Sequence, residues 1–143
     1  ILYKERSMYS MAFIGQPFIF RFTRIPGSVG MLNKGCGVVT PAGHVVLTAG
    51  DVVLFDGQQT QSIANGQVRR FIFDSVDSTN FKKAFVTKSL IDNEVLICFP
   101  TPGSTACTKA AVWNWQSKAW GVRDLPNVTY GAEGQLSEGI TEV

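Results

Sequence analysis

The sequence predicts an all-β chain built of antiparallel meanders, each ending in a hairpin and each of the kind that forms one blade of a β-propeller. Three observations predict it. Short β-branched and aromatic runs recur at roughly ten-residue spacing, bounded by Gly, Pro, Asn, Asp or Ser. Helical periodicity appears in one short stretch only. A pattern of apolar strand, polar turn and return strand at residues 53–63 comes back about 59 residues later at 112–122.

Taken in order, residues 2–6, 8–14 and 18–23 read as strands, with Gly15-Gln16-Pro17 as the turn between the last two. Val45-Val46-Leu47 and Val52-Val53-Leu54-Phe55 are apolar runs separated by the turn cluster Thr48-Ala49-Gly50-Asp51. Asp56-Gly57 supplies the positive-φ positions of a tight type I′ turn, so residues 58–63 pair back as the next strand. The helix candidate is 65–73. Asn65 stands at the cap position, and Val68, Phe71 and Ile72 follow at i, i+3 and i+4. Two turns are marginal alone, so this helix needs packing from below. Residues 83–87, 94–99, 110–115 and 119–123 then repeat the strand pattern, Pro126 ends the last of them, and the chain beyond Asn127 reads as loop or frayed end.

The unit is a four-strand meander, and about 40–50 residues make one blade. Residues 1–131 therefore supply two full units plus part of a third, and 132–143 form a C-terminal loop or tail. A propeller closes with roughly four blades or more. The expectation is that flanking sequence or other chains complete the ring. Ile1-Leu2-Tyr3 reads as a strand already under way, which suits a processed or truncated start. Charged residues make up 17%, against roughly 25% in an average soluble domain. Ten Phe, three Trp and three Tyr leave much to bury, so part of the surface is expected to be covered by more protein.

Composition also excludes. A net charge of +2 is too weak and scattered for a nucleic-acid footprint. No charge-free stretch reaches the ~18 apolar residues of a membrane span, and no run has the form of a signal peptide. The cysteines are Cys36, Cys98 and Cys107; with no CxxC pair, zinc and a thioredoxin-like site are not expected. Cys98, inside an apolar run, behaves as a small buried hydrophobe, and a Cys98–Cys107 bridge across a hairpin stays open.

Each chemical motif has a plainer reading that outweighs it. His44 is the single histidine and has no evident partner, so it reads as a strand-edge residue; Ser-His-Asp and Cys-His sites both need an oriented imidazole. Asp92 and Glu94 are spaced for a carboxylate pair but flank a turn, and Asp51 and Asp56 are turn formers first. Asp74, Asp77 and Asn80 offer oxygen ligands without the spacing of a calcium loop, which leaves a solvated loop with Asx turns. Asn127-Val128-Thr129 is a sequon without a secretory context. Gly35-Cys36-Gly37 lacks the GK[ST] of a phosphate loop. Arg69-Arg70 and Lys82-Lys83 read as a solvated rim, with DNA phosphates or an acidic partner as the sharper alternative. Trp113 and Trp115, two apart, share one strand face, while Arg123-Asp124 offers a local ion pair. No catalytic, cofactor-binding or metal-ligating residue is assigned.

Val112-Trp113-Asn114-Trp115, running through Trp120 to Arg123-Asp124-Leu125-Pro126-Asn127, resembles the β-propeller structural proteins of tailed-bacteriophage tails and necks, the nozzle or tail-tubular type. Asn93-Glu94-Val95-Leu96-Ile97-Cys98-Phe99-Pro100, the opening Tyr3–Tyr9 and the stretch from His44 to Gly57 followed by Gln61-Ser62-Ile63 fit as well. The resemblance implies a virion component of a DNA-conducting tail channel, a homo-oligomeric ring, other tail and neck proteins as partners, and non-specific contact with DNA in the channel. It implies no enzyme activity and no cofactor. Two rivals stand beside it: a glycan- or protein-binding propeller of a surface protein, and a glycoside hydrolase fragment.

Overall fold

The computed structural model describes residues 1–134. The first sheet holds β1 (Leu2–Tyr3), β2 (Met8–Phe13) and β3 (Phe20–Arg24) in that order. The second is a meander of β4 (Gly37–Thr40), β5 (Gly43–Leu47), β6 (Val52–Phe55) and β7 (Thr60–Ser62). Helix α1 (Gly66–Ser75) and a short 3₁₀ turn (Phe81–Lys83) follow. The third sheet is a meander of β8 (Phe85–Ser89), β9 (Glu94–Phe99), β10 (Cys107–Asn114) and β11 (Trp120–Val128). All pairings are antiparallel between chain neighbours. The repeated meander expected from the sequence is thus present as two four-stranded sheets.

Local chemistry explains the elements. Val, Leu and Phe in β5 and β6 satisfy a strand buried on both faces, where a continuous apolar run replaces alternation. Asn65 caps α1 by accepting from the Gln67 and Val68 amides, and such a cap contributes about 1 kcal/mol. Between β6 and β7 the loop is Asp56-Gly57-Gln58-Gln59. A type I′ turn needs positive φ at both central residues, and here Gly57 alone has it, at 108°. Asp56 instead organises the loop, its carboxylate accepting from the Gln58 and Gln59 amides, and this holds its pKa below the ordinary range. Asn114 does the same at the β10–β11 turn for the Gln116 and Ser117 amides.

Strand parity sorts the core. On the second sheet Val45, Leu47, Val52 and Leu54 face the third sheet, meeting Val95, Ile97, Phe99, Ala111 and Trp113 with Ile72 of α1 between them. The opposite face of the second sheet turns Phe55 and His44 toward the first, where Phe55 packs with Met8 and Ile25. The second sheet is therefore covered on both faces. Strand β4 also runs alongside β8, at the joint between the two meanders.

Several boundaries differ from the sequence expectation. The first strand stops at Tyr3 because the Lys4 amide bonds to the Ser7 carbonyl and turns the chain. Strand β4 is unforeseen. Strand β11 continues through Pro126 to Val128 as the edge of its sheet, where a missing N–H is tolerated. Of the C-terminal loop assigned to 132–143, residues 135–143 lie outside the described residues.

Candidate functional site

The residues singled out for chemistry are dispersed, and each has a local duty. The His44 Nδ1 hydrogen-bonds the Tyr3 hydroxyl, and its ring stands edge-on to Phe55 at 5.9 Å. Burial lowers the imidazole pKa and pushes the Tyr3 phenol up to about 12. The contact fastens the first sheet to the second.

Asp92 accepts from the Ser89 hydroxyl at 2.7 Å within the β8–β9 turn, and Glu94 pairs with Arg123 at 3.2 Å. Asp51 binds the Val52 amide and Arg69, the ion pair measuring 3.1 Å. Arg123 and Asp124 do not pair with each other. Neighbours on a strand point to opposite faces, so Arg123 reaches Glu94 while Asp124 meets its cross-strand partner Lys109 at 3.0 Å. Exposed pairs of this kind contribute about 0–1 kcal/mol.

The three cysteines are free and buried. Burial raises the thiols of Cys36 and Cys98 to about 12 and that of Cys107 to about 11, so at neutral pH they are un-ionised and poor nucleophiles. Cys36 and Cys107 donate to the carbonyls of Ala84 and Lys83. Among the described residues no three His, Cys, Asp or Glu side chains gather into a group that could hold a metal.

Asp77 is buried rather than solvated. Its carboxylate accepts from the amides of Thr79 at 2.6 Å, Asn80 at 3.0 Å and Gly103 at 3.0 Å, tying the segment after α1 to the β9–β10 loop. These backbone bonds lower its pKa. A folded pKa below the unfolded value means the stabilisation is present above about pH 3.9 and disappears as pH falls through the folded pKa. In a pH series of melting temperature, Asp77→Asn is expected to melt lower than the parent above pH 4, with the gap closing in stronger acid. An unchanging gap across that range would refute the assignment.

Two of the indoles belong to the core and the third bridges the two meanders. Trp113 and Trp115 share the core face, as their spacing predicts. Trp120 packs on Trp113 with the rings tilted at 36° and their centres 6.4 Å apart, and it donates its Nε1–H to the Ile63 carbonyl at 3.0 Å. A half-open cleft of about 460 Å³ lies between α1 and β11, lined by Asn65, Val68, Phe71, Lys118, Trp120 and Val122. Lys118 is its one ionisable side chain, and it lies over the Trp113 ring at 5.1 Å.

The surface that stands out is apolar. In the β2–β3 hairpin Met11 pairs with Phe22 and Phe13 with Phe20, so all four share a face, and Leu2 joins them through its pairing with Tyr9. Met8 and Ile25, which touch the second sheet, belong to the opposite face. The shared face therefore points outward, and its phenylalanines are 48–73% exposed. Soluble monomers rarely leave such a contiguous patch bare. Sequence reasoning identified the strands but not which side would lack a cover. The alternating Phe at 18, 20 and 22, with Phe13 across the turn, were the available signal.

Comparison of the sequence with protein-family models and with curated proteins finds no match.

Proposed function

We propose that this chain is a structural module of a bacteriophage virion. It supplies β-propeller blades to the tail or neck (nozzle) ring that conducts DNA, and carries no chemistry of its own. The observation that supports the reading is the repeated four-stranded antiparallel meander, in chain order. Propellers are built by radial repetition of four-stranded sheets of this kind. The resemblance in the Val112–Asn127 region supplies the virion context. The indoles that a glycan-binding propeller would present are committed to the core and to Ile63. Among the described residues no helix is long and apolar enough to cross a membrane.

An antibody raised against this chain is expected to label one end of purified phage particles in electron micrographs, with class averages showing a ring of identical copies. Absence from particles would overturn the reading. So would hydrolysis of any member of a glycan panel that is lost in Asp92→Asn.

A further inference from the structure

We propose that the outward face of the first sheet is a self-association surface, on which a second copy of this chain lays the same face. Met11, Phe13, Phe20, Phe22 and Leu2 form its centre, and Arg24 and Tyr9 lie together at its base end.

Area points to a protein occupant of this size. At about 200 Å² per ring residue, and slightly less for Met and Leu, the exposed fractions of these five side chains amount to roughly 500 Å² of apolar surface. Homodimer interfaces are about 65% apolar, so this centre implies a footprint of near 800 Å² per partner once its polar rim is included. That is the standard size of a stable interface.

The occupant is a second copy because the face is compatible with itself. Its charged residues, Arg24 and the Lys4 that lies over the Tyr9 ring at 4.8 Å, sit together at its base end, so stacking two such faces brings no charge into the centre. Sheets packed face to face stand about 10 Å apart with interleaved side chains, and rows of Phe and Met fill that gap. The first sheet already packs its other face this way against the second.

Lipid is the rival occupant for an aromatic hairpin, and the backbone argues against it. The bonds from Ile14 to Ile19 and from Ile25 to Met8 set the alternation of the β2–β3 ladder. By that alternation the N–H and C=O groups of Phe20, Phe22 and Arg24 point away from β2, toward the free edge of the sheet. In hydrocarbon each unpaired backbone group costs several kcal/mol, so an open-edged hairpin does not insert. At a face-to-face protein contact the same edge stays in water.

A contact using one face on both copies is two-fold and closes at two. It is therefore separate from the contacts that would build a ring, and it stands or falls without them. Sedimentation velocity on the full chain, with the double variant Phe13→Ser/Phe22→Ser alongside, tests it. The parent is expected to be dimeric at micromolar concentration. The variant should be monomeric, its association weakened at least about tenfold, with an unchanged circular dichroism spectrum. Should that variant lose its fold, Phe13→Lys gives the same reading from a side chain that is 73% exposed. A parent that stays monomeric to about 100 μM, beyond the micromolar-to-picomolar range of interfaces of this size, overturns the proposal. So does a variant that dimerises equally. Monomeric parent that floats with phosphatidylcholine–phosphatidylserine vesicles, and loses that flotation in the variant, assigns the face to lipid instead.

Discussion

Replacing Trp113 with alanine is expected to lower the unfolding free energy by about 3–5 kcal/mol, the range for a buried aromatic cut back to a methyl group. Trp113 is 2% exposed and sits where the third sheet, the second sheet and α1 meet. Its loss removes the packing surface for its cross-strand partner Trp120 and the ring beneath Lys118. Trp120 is also the side chain whose N–H reaches across to Ile63, so loosening it weakens a joint between the two meanders. A domain of this size has about 5–15 kcal/mol in total, so the variant should be marginal. Urea unfolding followed by far-ultraviolet circular dichroism measures the change. With a slope of about 1–3 kcal/mol per molar, the midpoint should drop by roughly 2 M. A loss under about 1 kcal/mol would show that the two sheets do not share this core.

A second large effect is expected at Gly30, and it is local. A Cβ built there would lie 2.0 Å from the carbonyl carbon and oxygen of Glu5 and 2.2 Å from the Arg6 nitrogen. These are backbone atoms, which cannot rotate out of the way. Next to Gly30, the Met31 amide donates to the Lys4 carbonyl at 2.9 Å, so the β1–β2 turn rests directly on the segment leading to β4. In Gly30→Ala this contact must open. Overpacking costs about 1–3 kcal/mol where side chains absorb it, and more where only backbone can move. The first sheet is otherwise held by Met8, Ile25 and Phe55 and by the Tyr3–His44 bond, so it should come away before the rest. Limited trypsin digestion reads this out. Cleavage after Arg21 and Arg24 should accelerate at least about tenfold, the ratio set by about 1.4 kcal/mol of easier opening, while the two four-stranded sheets resist. Equal digestion of parent and variant would refute the close approach.

What could be read from the sequence follows from how much each residue's state depends on near neighbours. Glu94–Phe99 was bounded correctly because Asn93 and Pro100 close it on both sides. The cap at Asn65 was legible because capping is settled within three residues. Strand Gly37–Thr40 was missed because Gly35-Cys36-Gly37 reads as loop, and Val38-Val39-Thr40 alone is too short a run without its partner β5. Pro126 misled because its effect depends on whether a strand is central or at an edge, a property of the whole sheet. The ion pairs were misassigned for a related reason. Arg123 and Asp124 are neighbours in sequence, but their partners are chosen by register, which places Lys109 opposite one and brings Glu94 within reach of the other. The outward face of the first sheet was the least legible feature. Alternation says which residues go together, and only the stacked structure says which set is left outside.

The rim strand β11 has one further consequence. Pro126 removes a donor, and Asn127 adopts a left-handed φ of 54°, so the free margin of the third sheet is kinked and chemically incomplete. A stray strand meets an interrupted ladder there. Growth sideways is hindered, which guards this margin against seeding fibres.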